Sequence, residues 1–237
     1  LAGRVGLMHL LPFSLSELGR AAAPRSVEEL LWRGLYPPVI DLGVPPGTWY
    51  ADYMATYVER DVRQLVNVRD LNAFRRFVRM CAARTGQLLN LSSLAADCGV
   101  THNTAKAWIS VLEASYIVRL LAPYHRNFGK RLVKAPKLYF VDTGLAASLA
   151  GIREPGELVI HPMRGALFET WVFAELLKSG CNRGRPLELY FWRDSSGNEV
   201  DFLVERRGRL HALEVKSGRT VAGDYLNGLE RFARIAG

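Results

Sequence analysis

Cysteine, long apolar runs and a phosphate-binding loop are scarce or missing in this sequence. The three cysteines, Cys81, Cys98 and Cys181, form no CxxC pair and no metal-ligand spacing with histidine. This predicts small buried side chains in a reducing compartment. No apolar run approaches the ~18 residues that a membrane span requires. The G-x-x-x-x-G-K-S/T pattern is absent, which excludes ATP binding by that route. These absences predict a cytoplasmic protein that is not part of a membrane.

Acidic residues are also missing between Ala114 and Val141. The whole chain has a formal net charge of +8 at pH 7. Positive charge of that size attracts polyanions, nucleic acid above all, but also acidic lipid or protein. The acid-free stretch contains these basic residues: Arg119, Arg126, Lys130, Arg131, Lys134 and Lys137. The charge therefore favours a nucleic-acid partner, DNA before RNA, without identifying it.

The apolar periodicity predicts a mixed α/β fold in three parts: a helical segment over 1–66, a winged helix-turn-helix domain over 67–150 and an α/β domain over 151–237. In the first part, Ser26 followed by Glu29 is a capping-box signature for a helix. From Trp49 to Val66, apolar residues recur at three and four positions, which predicts an amphipathic helix. The linker before the last domain is placed at Gly151 to Gly156.

The middle part contains the components of a winged helix. Ser92 is predicted to cap a short helix, Gly99 to supply the turn and Thr101 to cap the second helix. Two strands, Tyr116–Leu121 and Leu138–Val141, then enclose most of the acid-free basic segment. Helix, turn, helix and basic ribbon in this order are typical of a winged helix.

Two interpretations of the winged helix stay open. If it binds DNA, the second helix faces the major groove with His102, Asn103 and Lys106. Phosphates would then be contacted, without sequence readout, by Arg126, Lys130, Arg131 and Lys134. Alternatively, the unit is a packing or protein-interaction module, because its second helix is poor in arginine, the commonest specific reader of guanine.

The last third combines acidic residues with apolar elements. A helix predicted from His161 to Ser179 carries Glu169 among its apolar residues. A strand predicted from Glu199 to Val204 alternates, so that Glu199, Asp201 and Leu203 share one face. A buried carboxylate is costly unless it is paired or binds a cation. These acids therefore require a chemical reason.

A second strand, predicted from Leu210 to Lys216, supplies the remaining charges. Glu214 and Lys216 share a face of it, and Asp201 on the neighbouring strand can lie beside Glu214. Adjacent carboxylates repel each other, and a divalent metal removes that conflict. We therefore predict Asp201 and Glu214 as ligands of Mg²⁺, and Lys216 as the group that orients the attacking water or stabilises the developing charge. The predicted catalytic set is Glu169, Asp201, Glu214 and Lys216.

This ordered set resembles the PD-(D/E)xK nuclease superfamily. The helical acid is Glu169, the strand aspartate is Asp201, and Glu214-Val215-Lys216 after a tight hairpin is the E-x-K. The resemblance implies a restriction-endonuclease-like domain over 151–237 that cleaves phosphodiesters with magnesium. A domain that keeps the fold and these residues but does not cleave is the alternative.

Nearly the whole chain is similar to the C-terminal portion of a large group of bacterial and archaeal AAA-family ATP-binding proteins. The matching segments include Arg33-Gly34-Leu35-Tyr36-Pro37, Arg84-Thr85-Gly86-Gln87 and the run from Lys130 to Leu145. The resemblance implies an ATPase core in a longer parent protein, where alone ATP would bind, and makes that domain a partner. We therefore expect this chain to be a fragment, cut short before its last domain is complete. A homo-oligomer stays open.

Three functions are compatible with these patterns. In the leading hypothesis, the winged helix binds nucleic acid and the last domain cleaves a phosphodiester with magnesium. In the second, the acids are structural or vestigial and the chain is a DNA-binding scaffold. In the third, it is an interaction module that only packs against its ATPase.

Overall fold

The computed structural model describes residues 9–19, 22–62, 70–124, 133–218 and 225–236. Within them the chain is mixed α/β, as predicted, with nine α-helices and a six-stranded mixed sheet. The helices are α1 Val27–Arg33, α2 Pro37–Asp41, α3 Pro46–Thr56, α4 Leu71–Ala82, α5 Leu91–Cys98, α6 His102–Ala114, α7 Thr143–Leu149, α8 Arg164–Asn182 and α9 Asn227–Ala236. The strands are β1 Gln87–Leu88, β2 Val118–Pro123, β3 Lys137–Phe140, β4 Glu188–Arg193, β5 Glu199–Arg206 and β6 Arg209–Leu213.

The first helical segment begins at the predicted cap. The Ser26 hydroxyl accepts the Glu29 backbone N–H at 3.0 Å, which satisfies one of the free donors of α1. In a capping box, the Glu29 carboxylate would accept the backbone N–H of Ser26. Here it accepts the N–H of the preceding residue, Arg25, at 2.7 Å. The amphipathic helix predicted from Trp49 to Val66 is α3 followed by a π-helical turn, Tyr57–Val62. Its last residues lie outside the described ranges.

The predicted helix-turn-helix pair corresponds to α5 and α6. The prediction that Ser92 caps α5 is wrong: the cap is Asn90, whose side-chain oxygen accepts the Ser93 N–H at 3.0 Å. Both residue types can cap, but the apolar face of α5 already needs Leu91 within the helix. Gly99 ends α5 in the left-handed region at φ 69°, and Thr101 caps α6 as predicted.

The sheet has the strand order β1-β3-β2-β4-β5-β6. All of its pairs are antiparallel except β2–β4, which is parallel through Ala122 opposite Tyr190 and Pro123 opposite Phe191. That parallel pair joins the strands of the middle part of the chain to those of the last part. The sheet thus crosses the predicted boundary at 150/151, and the domain limits themselves stay predictions.

Three apolar clusters hold these layers together. The largest lies among the helices of the first two parts, around Phe74, Phe77 and Trp108. The second packs α8 on the sheet through Tyr139, Phe173 and Phe202. The third joins α9 to the sheet and includes Trp192, Val200, Leu203 and Phe232.

Two predictions from the sequence concern the burial of the cysteines and the absence of a membrane-spanning helix. Cys81 and Cys98 are buried thiols, and Cys181 is half-buried. Burial raises the pKa of the Cys81 thiol, which makes it a poor nucleophile. Within the described ranges, every helix is too short or too polar to cross a bilayer.

Candidate functional site

Three carboxylates meet between α8 and strand β5. Glu169 projects from α8, and Glu199 and Asp201 project from β5. One oxygen from each lies within 4.8 Å of the others. Asp201 is only 8% exposed. We call Glu169, Glu199 and Asp201 the acidic cluster.

Glu199 is a member of this cluster that the sequence-based site set left out. It lies two residues before Asp201 on the same strand, so both side chains point to one face. That spacing was visible in the sequence, and it was the available signal. The Glu199 carboxylate is also paired with Arg193, Nη1 to Oε2 at 3.1 Å.

A lysine from β3 occupies the centre of the acidic cluster. Lys137 is 3% exposed, and its Nζ donates to Glu169 Oε1 at 2.8 Å. The same ammonium pairs closely with Glu199 and lies 3.9 Å from Asp201 Oδ1. Burial alone would lower the pKa of Lys137, but the charges of Glu169 and Glu199 outweigh it and the pKa is raised. Lys137 is therefore a protonated counter-ion at neutral pH.

Lys137 was also not predicted as a site residue, since the sequence showed it only as one of the basic residues in the acid-free stretch. Its neighbour Tyr139 completes the contact by donating its hydroxyl to Glu169. One turn of α8 is fixed nearby, because the Thr170 hydroxyl contacts that of Thr85 at 2.8 Å. Two of the matching sequence segments, around Thr85 and Lys137, thus contact the turn of α8 that carries Glu169 and Thr170.

Asp201 is short of hydrogen-bond donors. Its Oδ2 accepts the Val215 backbone N–H at 2.7 Å. Burial, followed by the charge of Glu169 and then that of Glu214, raises the pKa of Asp201 to about 7, although Val215 and Lys137 oppose the shift. Asp201 would be stabilised by a further positive charge.

Glu214 and Lys216 lie beside the cluster, but not on a strand as predicted. Strand β6 ends at Leu213, and two residues later the Val215 N–H donates to the Asp201 side chain. Lys216 forms an ion pair with Glu214 Oε1. The other carboxylate oxygen, Oε2, is buried and has no hydrogen-bond partner among the described residues. An unpartnered buried oxygen is costly and favours a cation nearby.

Some of the residues predicted to contact nucleic acid are exposed in the described part of the chain, and the others lie outside it. His102, Asn103 and Lys106 are exposed on the outer face of α6, and Lys134 is exposed before β3. The other predicted phosphate contacts, Arg126, Lys130 and Arg131, lie outside the described ranges. The described contacts connect none of these side chains to the acidic cluster.

The donor chemistry of the site fits a hard divalent cation. Carboxylate oxygens are the ligands that Mg²⁺ and Mn²⁺ prefer. Asp201 has only a long ion pair, at 3.9 Å from the Lys137 ammonium, and Glu214 offers a buried oxygen without a hydrogen-bond partner among the described residues. The Lys137 ammonium is the competing cation, and it neutralises Glu169 and Glu199 first.

The fold and site define a mixed α/β protein with a partly buried acidic cluster that contains a lysine counter-ion. Residues 24–156 match a family described as a domain of unknown function, DUF8612, and residues 164–237 match a second domain of unknown function, DUF4143. The first match covers more than half of the chain, which therefore belongs to the DUF8612 family. DUF4143 is in general associated with AAA-family proteins. Lys137 and Tyr139 lie in the first match, and the acidic cluster lies in the second.

Two relatives are similar over almost all of this chain. They are the uncharacterized protein Mb2031c of Mycobacterium bovis and the uncharacterized protein Rv2008c of Mycobacterium tuberculosis. Each is 34% identical over 223 residues, which make up 93% of this chain and 48% of the relative. The chain thus spans about half the length of these curated relatives. No solved structure matches it significantly.

Proposed function

We propose that this chain is a nucleic-acid-acting module whose partly buried acids hold a divalent metal for phosphodiester cleavage. The observation that carries the proposal is the convergence of Glu169, Glu199 and Asp201, with one oxygen from each within 4.8 Å of the others. The order of elements supports it: a helix with Glu169, a strand with Asp201, a hairpin, and Glu214 with Lys216 directly after it. This is the order that the resemblance to PD-(D/E)xK nucleases implies.

Asp201 and Glu214 are the residues that we propose as primary ligands, since they have oxygens least satisfied by the protein itself. Glu169 adds negative charge next to Asp201, and the Tyr139 hydroxyl orients it. Bound Mg²⁺ or Mn²⁺ would activate a water and polarise a phosphodiester oxygen. The Lys216 ammonium, held by Glu214, would stabilise negative charge that develops on the phosphate.

We further propose that the module works beside an ATPase domain. The support is the DUF4143 match and the fact that the chain spans 48% of each curated relative. Nucleic acid, DNA in the first place, would reach the exposed face of α6 at His102, Asn103 and Lys106. ATP would bind only in the ATPase domain. A cytoplasmic location and a homo-oligomeric form stay predictions.

A second function is favoured by one specific observation, the position of Lys137. Its buried ammonium already compensates Glu169 and Glu199. In this alternative, the acidic cluster is a structural junction between the two parts of the sheet, and the chain is an inactive binding or scaffold module. The two functions differ in whether the site takes up a metal.

Two measurements separate them. Calorimetric titration with Mn²⁺ tests for a metal site, and nicking of supercoiled plasmid in Mg²⁺ or Mn²⁺ tests for cleavage. If the chain is a nuclease, the wild type should bind Mn²⁺ and nick the plasmid. Asp201→Asn and Lys216→Ala should each abolish nicking. Glu230→Gln removes an exposed acid of α9 and serves as the control. A folded chain that neither binds Mn²⁺ nor nicks DNA supports the scaffold, and nicking that survives both substitutions refutes the proposed site.

A further inference from the structure

A cleft of about 720 Å³ opens at the end of the β4–β5–β6 strands far from the acidic cluster. One wall is the loop after α8, and the other is the hairpin between β5 and β6. Its lining contains four arginines and two glutamates: Arg183, Arg185, Arg206, Arg207, Glu188 and Glu205. We call this the arginine cleft.

The arginines of this cleft have unused binding capacity. All four are exposed. Among the described residues, none of the four guanidinium groups has an ion-pair or hydrogen-bond partner. The two glutamates face each other across β4 and β5, where Glu188 is registered with Glu205. The lining therefore keeps a formal charge of +2, carried by side chains that form planar, bidentate hydrogen bonds.

The first wall is held in a fixed position. The Arg185 N–H donates to the Gly180 carbonyl at 3.0 Å. A Cβ on Gly180 would lie 2.8 Å from the Leu187 backbone nitrogen, so the loop packs directly on the backbone of α8. Only glycine permits this approach. The loop thus presents Arg183 and Arg185 from a rigid base.

The second wall contains an unfavourable backbone conformation. The hairpin turn places Arg207 at φ 53° and Gly208 at φ 70°, with Arg206 opposite Arg209. A two-residue turn with positive φ at both positions favours Asn-Gly, Asp-Gly or Gly-Gly. An arginine there costs free energy that asparagine would not. Arg207 is therefore kept in this turn at a cost to stability, which a binding role would explain.

We propose that the arginine cleft binds the phosphodiester backbone of nucleic acid and anchors it for the acidic cluster. Arg206 lies five residues beyond Asp201 on β5, which corresponds to ~17 Å at ~3.4 Å per residue. One strand of a duplex carries a phosphate every ~3.4 Å, so about five phosphates span that distance. The inference rests on the proposed function and names a contact surface separate from α6.

Neutralisation of the hairpin tests the proposal. In the full chain, the variant R206Q/R207N removes two charges, and asparagine at position 207 suits the turn. Fluorescence anisotropy with a labelled 20-base-pair duplex, in EDTA and at several salt concentrations, measures binding without metal chemistry. The expected result is an affinity at least about tenfold weaker at 0.1 M salt, with a salt slope shallower by about 1 per arginine.

The control variant R25Q/R79Q removes the same charge from two exposed positions outside the arginine cleft. It is expected to keep wild-type affinity within about twofold, because dispersed charge contributes little at this ionic strength. Equal losses in both variants, or unchanged binding in R206Q/R207N, would overturn the anchor but leave the metal proposal standing. Competition by poly-glutamate as strong as that by unlabelled duplex would also overturn it, in favour of an acidic protein partner. A wild-type chain that does not bind the duplex would overturn the cleft and the nucleic-acid part of the proposed function together, whereas Mn²⁺ binding tests the metal site separately.

Discussion

Two buried aspartates in this fold differ in how their charge is satisfied. Asp142 is 3% exposed and Asp201 is 8% exposed. The Asp142 carboxylate accepts the Leu35 N–H at 2.7 Å, the Tyr50 hydroxyl at 2.8 Å and the Leu145 N–H at 2.9 Å. Asp201 accepts one backbone N–H and lies among other carboxylates. Similar burial therefore has different consequences: hydrogen bonds satisfy the charge of Asp142, whereas the charge of Asp201 is poorly compensated.

Asp142 is a structural carboxylate, although it belongs to a segment recognised from the sequence. It caps α7 and binds the residue after Gly34, whose φ of 63° ends α1. A Cβ at Gly34 would overlap the Asp142 carboxylate, so glycine is required there. Arg33-Gly34-Leu35 and Asp142-Thr143-Gly144 thus meet at one hydrogen-bond centre. What marks a candidate site is unsatisfied charge, as at Asp201, and not burial.

The largest expected effect is at the satisfied aspartate. Asp142→Ala leaves two backbone N–H groups without their acceptor and leaves the Tyr50 hydroxyl only the Arg33 carbonyl, so it should lower the free energy of unfolding by about 3–4 kcal/mol. Urea unfolding followed by circular dichroism measures it. Asp52→Ala, an exposed position on α3, should change stability by less than about 0.5 kcal/mol. If both variants are equally stable, the structural role of Asp142 is wrong.

The next largest effect concerns the counter-ion of the acidic cluster. Lys137→Met removes the ammonium that pairs with Glu169 and Glu199. It should cost about 2–3 kcal/mol at pH 7.5, less than the ~3–5 kcal/mol of a fully buried pair, because both carboxylates are partly exposed and Glu199 keeps Arg193. Because a divalent cation can replace the lost charge, Mn²⁺ should raise the melting temperature of this variant more than that of the wild type. Lys134→Met, at an exposed neighbouring position, is the control. A variant that Mn²⁺ does not stabilise would show that the acids cannot hold a metal even without Lys137.

The third effect is a gain in the free energy of unfolding, not a loss, because the charge of Asp201 is poorly compensated in the folded chain. Its pKa of about 7 lies above the ordinary value of 3.8, so the folded chain binds this proton more tightly than the unfolded chain. Its contribution to stability is therefore best below about pH 4, declines as the pH rises to about 7 and stays low above that. Asp201→Asn should add about 1–2 kcal/mol at pH 8 and roughly a third of that at pH 5, because pH 5 lies between the pKa values of the unfolded and the folded chain.

Unfolding curves of wild type and Asp201→Asn at both pH values test this dependence. Asparagine can still accept the Val215 N–H, so the backbone contact is preserved. Glu230→Gln, which removes an exposed acid of α9, is the control. A loss of stability in Asp201→Asn at pH 8 would mean that the ionised carboxylate is well compensated in the folded chain.

The sequence predicted those parts of the site that depend on local spacing. Glu169 and Asp201 follow from apolar periodicity within one helix and one strand. Lys137 could not be assigned in this way, because it is 32 positions from Glu169 and the contact depends on how distant elements pack. The parallel pairing of β2 with β4 brings those elements together. The cap of α5 was misassigned for a local reason, since Asn90 and Ser92 can both cap and packing selects between them.

The smallest expected loss of stability comes from removing one tyrosine hydroxyl, either at Asp142 or in the acidic cluster. Tyr50 donates to Asp142 and Tyr139 donates to Glu169 in the acidic cluster. Both rings are almost fully buried, at 1% and 0% exposure, so Tyr50→Phe and Tyr139→Phe are matched deletions. Each should cost about 1 kcal/mol of stability. If the acidic cluster is a metal site, only Tyr139→Phe should change Mn²⁺ affinity in a calorimetric titration, because it alone frees a cluster oxygen. Equal Mn²⁺ affinities in both variants would make Tyr139 as purely structural as Tyr50, and the contrast would then depend on Asp201 and Lys137 alone.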